Sequence, residues 1–212
     1  METEIRYYFS EKYYEKLLEG LKKNKDLKYK GCFYELTAQY DHPMKEMSFY
    51  SKKIDGRFRI RCSKQEDGKN ANCKISWKRR LQNTAKGLVN KEEEVEVDFN
   101  YNQLDNLMFL LEDVIHMHKV ESYERYRNVF FNDDIEIVVD KYPFGIALEI
   151  ENKGNENNAE NNIVSWAKKL NLSPKDAYRL SWDDKYTSLC KEQNIKIYND
   201  VKFGLPMPKI LD

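Results

Sequence analysis

Residues 57–61, Arg-Phe-Arg-Ile-Arg, alternate cations with apolar side chains, so a strand there has one charged face and one greasy face. The same alternation recurs along the chain. Glu2, Glu4 and Arg6 share a face in METEIRYYF. Lys74, Ser76, Lys78 and Arg80 alternate with Ile75 and Trp77, and Glu92, Glu94, Glu96 and Asp98 with Val95, Val97 and Phe99. Arg125 and Arg127 flank Tyr126, and Glu149 and Glu151 flank Ile150. CFYELTAQYDHP, EMSFYSKKIDG and IEIVVD add further strand candidates, with Asp55-Gly56 as a hairpin turn.

Helical spacing appears elsewhere. SEKYYEKLLEGLKKNK puts Tyr13, Leu17, Leu18 and Leu21 on one stripe behind Ser10 as N-cap, and NYNQLDNLMFLLEDVIH has the same period. Beyond the Asn/Glu-rich NKGNENNAENN, the segments IVSWAKKL, SPKDAYRL and DDKYTSLCKEQN read as short helices. About eight strands joined mostly by hairpins predict an α+β fold, an antiparallel eight-stranded β-barrel with helices packed outside. A doubly wound parallel sheet would need a helix after nearly every strand. Residues 1–212 are expected to form one domain, helical from about residue 158.

Composition sharpens this picture. Lys+Arg and Asp+Glu number 36 each, so no global field draws nucleic acid or an anionic membrane, and a charged partner has to be gripped locally. Charged residues are nonetheless 34% of the chain, against ~25% in an average domain, and that excess needs a location. No apolar run approaches the ~20 residues of a membrane span, and no cationic leader precedes an apolar segment at the N-terminus. A cytoplasmic protein is expected, a monomer or homodimer with no membrane partner. Cys32, Cys62, Cys73 and Cys190 form no Cys-x-x-Cys, and reduced structural thiols are expected even though Cys62 and Cys73 can face each other across a hairpin. Trp166 and Trp182 are expected to pack helices rather than stack on a base.

Two arrangements accommodate the charged faces. An ordinary sheet would leave them solvated, with cross-strand pairs worth ~0.2–1 kcal/mol each. A closed barrel would turn them inward, where unpaired charges cost several kcal/mol each, so the interior would have to be wet and to serve a ligand that uses both signs. Carboxylate clusters suit Mg2+ or Mn2+, and arginine forks suit phosphate oxygens. Segregation by sign favours the tunnel: RFRIR holds no acid on its charged face, and EIE holds no base.

In series, these segments resemble the CYTH or triphosphate tunnel metalloenzyme family, which includes thiamine triphosphatases, inorganic triphosphatases, RNA triphosphatases and class IV adenylate cyclases. Glu2-Thr-Glu4-Ile-Arg6 is similar to the family's opening Glu-x-Glu-x-Lys, with arginine in place of lysine. RFRIR resembles its Arg-x-Arg strand, ISWKRR its following lysine, EVEV its alternating-Glu strand, YERYRNVF its Lys-x-Arg strand, and VVDKYPFGIALEIE its Asp, Gly and Glu-x-Glu signature. AQYDHP resembles Tyr-Asp-Thr-Pro, with His42 for Thr. The resemblance implies metal-dependent hydrolysis of an inorganic, thiamine or nucleoside triphosphate. Cyclic AMP synthesis from ATP and non-catalytic nucleotide or polyphosphate binding are its alternatives. Among nucleic acids only an RNA 5′-triphosphate end stays open as a substrate. It further implies Glu2, Glu4, Asp140, Glu149 and Glu151 as ligands of Mg2+ or Mn2+. Arg59, Arg61, Lys78, Arg125 and Arg127 would bind substrate, and Arg6, Glu94 and Glu96 would act in catalysis.

Overall fold

The computed structural model describes residues 2–65, 67–81 and 88–211. Eight strands form a closed antiparallel barrel: β1 (Glu2–Phe9), β2 (Lys28–Asp41), β3 (Gly56–Gln65), β4 (Asn72–Arg80), β5 (Asn90–Phe99), β6 (His118–Phe131), β7 (Ile135–Tyr142) and β8 (Gly145–Asn152). Their order is β2-β3-β4-β5-β1-β8-β7-β6, and β2 pairs with β6 from Lys28↔Phe131 to Asp41↔His118 to close the ring. Closure removes the exposed edges that so many strands would otherwise present.

Helices cover much of the outward, apolar parity of the strands, while Val95 and Val97 of β5 stay exposed. α1 (Tyr14–Lys23) and α3 (Ala159–Lys169) place Leu18, Leu21, Ile163 and Trp166 over Ile5, Ile137, Ile146, Leu148 and Ile150. α2 (Leu104–Phe109) runs into a π-helical turn, Leu110–Val114, and that segment covers Tyr40 and Ile60 with Leu111. α4 (Trp182–Glu192), capped by a reciprocal Ser181–Asp184 box, packs Trp182, Tyr186 and Leu189 on Phe144 and on Tyr123 and Tyr142, which face into the barrel. Among the described residues, no helix is long and apolar enough to cross a membrane.

Several expectations are corrected. EMSFYSKKIDG is not a strand. Asp41 accepts bonds from the backbone of His42 and Phe49, both at 2.8 Å, and from the Ser48 hydroxyl at 2.7 Å, gathering the segment into a loop with one 3-10 turn, Lys45–Met47. The Tyr-Asp-His-Pro motif is therefore a loop staple. SPKDAYRL makes only the 3-10 turn Pro174–Asp176, because Tyr178 then donates its backbone N–H to the carbonyl of Arg6. A short β9 (Asp200–Val201), unread in the sequence, adds to β6 in parallel. Cys62 and Cys73, expected as free thiols, sit directly opposite each other on β3 and β4 and form a disulfide, while Cys32 and Cys190 are free.

Candidate active site: a charged tunnel

Because the apolar parity of the strands faces outward, the charged parity lines a cavity of about 450 Å³ inside the barrel. Glu2, Glu4 and Arg6 come from β1, Arg59 and Arg61 from β3, Lys78 from β4, and Glu94 and Glu96 from β5. Arg125 and Arg127 come from β6, and Glu149 and Glu151 from β8. The solvated-sheet arrangement is thereby set aside. Asp140, expected on the wall as a metal ligand, is the exception: it is fully buried behind the arginines.

Asp140 Oδ1 accepts from Arg127 Nε at 2.7 Å, and Oδ2 accepts from Arg127 Nη2 at 2.6 Å and Arg125 Nη1 at 2.9 Å. With both oxygens engaged by guanidinium groups, this carboxylate fixes two cations rather than offering itself to a third. Glu149 is held likewise, by Arg6 Nε at 2.6 Å and Arg127 Nη2 at 2.9 Å, so half of the strand-adjacent pair Glu149 and Glu151 is already neutralised. Burial would raise the Glu149 carboxyl, but Arg6, Arg127 and Arg125 outweigh it and hold it well below the usual range. Glu35 on β2 accepts from Arg125 Nε at 2.7 Å; Arg125, Arg61 and Arg127 overcome its burial and bring it down to about 2.

A different cluster forms on the β1–β5 side. Glu2 stands opposite Glu92 in register, and carboxylate oxygens of Glu2, Glu4 and Glu92 lie within 4.8 Å of one another. The Lys78 ammonium sits among them, paired with Glu2, 2.6 Å from Glu92 Oε2 and 3.4 Å from Glu4 Oε2. The buried oxygens of Glu2 and Glu92 without a hydrogen bond of good geometry are the ones that face the Lys78 ammonium. Hard oxygen donors gathered this closely around a cation fit a divalent ion such as Mg2+ or Mn2+ in its place. Glu151 is opposite Glu4 in register; burial and then Glu2 push its carboxyl up to about 7, despite Lys153 at 2.5 Å. Glu94 is lowered: burial opposes this, and Lys78, a hydrogen bond with Glu2 and Arg59 together outweigh it. Arg59 Nη2 donates to it at 2.7 Å.

Three contributors escaped the sequence reading. Glu92 belonged to the alternating acids but lies one step below the motif. Glu35 is the lone acid of a mixed strand, Phe33-Tyr-Glu35-Leu-Thr37, with no charge alternation to mark it. Tyr123 sits two residues before Arg125 on the inner face. Burial alone would raise its phenol, but Arg125, Arg61 and Arg59 bring it down to about 8. Trp182 packs a helix as expected, with its ring 4.3 Å from that of Tyr123, and it also lines the cavity.

No protein-family model matches the chain, and no curated protein matches its sequence. Solved structures do. A candidate adenylate cyclase from Vibrio parahaemolyticus superposes with a TM-score of 0.64 at 16% identity, over 86% of this chain and 95% of that one. An adenylyl cyclase candidate from Hippeastrum with a dominant triphosphatase activity gives 0.55 at 17% identity, over 93% and 98%. A chain of the Schizosaccharomyces pombe Mediator head module also gives 0.57 at 11% identity, over 81% and 95%, so the barrel alone does not carry an activity. The chain shares its fold with these proteins, and its closed eight-stranded barrel is the architecture that its resemblance to the CYTH family implies.

Proposed function

We propose that the protein is a divalent-metal-dependent phosphohydrolase acting on a triphosphate held in the tunnel. The observation that carries this reading is the partition of the inner wall. Arg59, Arg61, Arg125 and Arg127 converge from β3 and β6, while Glu2 and Glu4 line the cavity from β1 and gather with Glu92 of β5, which lines a small adjoining pocket. A bare polyanion would use only the first group and a bare cation only the second; a metal-bound triphosphate uses both.

In this reading the guanidinium forks of Arg59, Arg61, Arg125 and Arg127 take the phosphate oxygens, exchanging carboxylate partners for phosphate ones. Asp140 and Glu35 keep the forks aimed during that exchange. Glu2, Glu4 and Glu92, with Glu151 beside them, would hold Mg2+ or Mn2+, which supplies charge neutralisation and polarises phosphoryl oxygens. Lys78, already among these carboxylates, reaches the same region as a mobile point charge. Arg6, fixed by Glu149 and Glu4, is placed to meet charge developing on the transferred group. Glu94 and Glu96 are the inner-wall acids left to orient the attacking water. Partial burial inside the barrel strengthens each of these contacts relative to bulk solvent.

The test is incubation with Mg2+ or Mn2+ and, separately, tripolyphosphate, thiamine triphosphate and ATP, followed by resolution of orthophosphate, pyrophosphate and cyclic AMP. Metal-dependent orthophosphate release that is lost in Arg59→Ala is expected. Cyclic AMP with pyrophosphate would reassign the tunnel to cyclisation. Tight binding without turnover would make it a non-catalytic module.

A further inference from the structure

The outside of the barrel over β4 and β5 carries an apolar surface that the fold leaves uncovered. α2 and its π-helical turn set Leu104, Leu107, Met108 and Leu111 into a cluster with Ile60, Ile75 and Phe99. The same segment is apolar at its exposed positions too: Phe109, Leu110, Val114 and Ile115 are each 49–58% exposed. A helix with a single core-facing stripe would carry polar residues there. Val95 and Val97 point outward from β5 and are both 58% exposed. Val97 stands opposite Ile75 and two residues before Phe99, and both of these pack with the α2 cluster, so the two valines lie beside the helix and extend its apolar surface.

Charge divides this surface into two unlike halves. Residues 92–117 contain no lysine or arginine, so the exposed charges of the α2 segment, Asp105, Glu112 and Asp113, are all acidic. The β5 half is edged instead by exposed Lys91 and by Arg79, which also pairs with Glu93. Within one chain the halves lie side by side and cannot face each other. A two-fold axis between two copies lays the acidic helix of each on the basic-edged valines of the other, the reciprocal contact that an isologous interface requires. A lipid surface would call for lysine and arginine around the apolar helix, and this helix has none.

The area is of the size such a contact needs. With Tyr101, half-exposed just before α2, seven side chains are bared. They present on the order of 600 Å², at the top of the ~300–600 Å² that the largest patch of a monomer reaches and close to the ~800 Å² that each partner buries in a stable interface. We infer that this face is the interface of a two-fold homodimer, in which α2 of each copy is seated on Val95 and Val97 of the partner subunit. The inference is independent of what the tunnel holds. It bears on the tunnel all the same: Val95 and Val97 alternate along β5 with Glu94 and Glu96, so the partner's helix braces from outside the strand that carries those two acids inward.

The experiment is sedimentation equilibrium of the full chain from about 1 to 100 μM, for wild type, Leu110→Glu and Val97→Lys, with far-UV circular dichroism and the thermal midpoint showing that each variant is folded. Both positions are exposed, so neither substitution disturbs the core. Wild type is expected to dimerise within this range, and each variant alone to raise the dissociation constant by about tenfold or more. Wild type that stays monomeric at the highest concentration would overturn the inference, and flotation with neutral phosphatidylcholine vesicles would then show whether lipid covers the face instead. A dimer that both variants leave intact would overturn it by placing the interface elsewhere. A dimer broken by Leu110→Glu and untouched by Val97→Lys would overturn the pairing of α2 with β5 and set helix against helix.

Discussion

The ammonium of Lys78 lies 2.6 Å from Glu92 Oε2, within a triad of acids that spans β1 and β5. Lys78 thereby marks where these carboxylates concentrate positive charge. If the same oxygens hold the metal, Glu92→Gln weakens Mn2+ binding by about 10–100-fold, the range for disturbed metal sites, with substrate affinity at saturating metal little changed. A Mn2+ titration of the variant checks this. An unchanged half-saturation would place the ion elsewhere.

Asp140 is predicted to act through the arginines. It is fully buried and holds Arg125 and Arg127 with three bonds, so Asp140→Asn leaves two buried guanidinium groups short of charge. Breaking a buried pair from one side costs about 3–5 kcal/mol, and urea denaturation should show a loss of that order. A loss under about 1 kcal/mol would mean that Glu35 and Glu149 suffice to hold the forks.

How much of this was readable beforehand follows from parity. Arg59, Arg61, Arg125, Arg127, Glu149 and Glu151 were all placed on the inner wall because alternation fixes which side chains share a face, and closure then turns every charged face inward. What parity lacks is depth and pairing. Asp140 has the inward parity yet lies beneath the arginines, a fact set by how far Arg125 and Arg127 reach across from β6. Glu92 gained its importance from the β1–β5 register, which brings it opposite Glu2. The loop after β2 was misread because Phe49 and Tyr50 look like strand residues, while the Asp41 staple that bends the chain is a side-chain effect invisible to periodicity.

Glu121, on β6, gives a pH test of stability. Burial, followed by Asp183, pushes its carboxyl up to about 7, against Arg57 and a bond from Tyr50, with Asp184 adding to the rise. Its Oε1 also accepts from Gln39 Nε2 at 2.7 Å. A carboxyl raised on folding favours the protonated native state, so its penalty is absent below the unfolded value near 4.5, grows as pH rises and is complete above about 7. Glu121→Gln keeps the acceptor and removes the charge. It should match wild type near pH 4.5 and exceed it at pH 8 by on the order of 2 kcal/mol in chemical denaturation. A constant difference across that range would contradict the assignment.

The central claim is that the tunnel holds a polyphosphate and a divalent ion together. The most direct measurement is the thermal shift of the protein with tripolyphosphate alone, Mg2+ alone, and both. Each ligand that prefers the folded state raises the midpoint, and a shared site makes the joint shift exceed the sum of the separate ones. A supra-additive shift that disappears in Arg59→Ala is the predicted result. No shift with tripolyphosphate in either condition would contradict the account, because the inner arginines and glutamates would then be serving only one another.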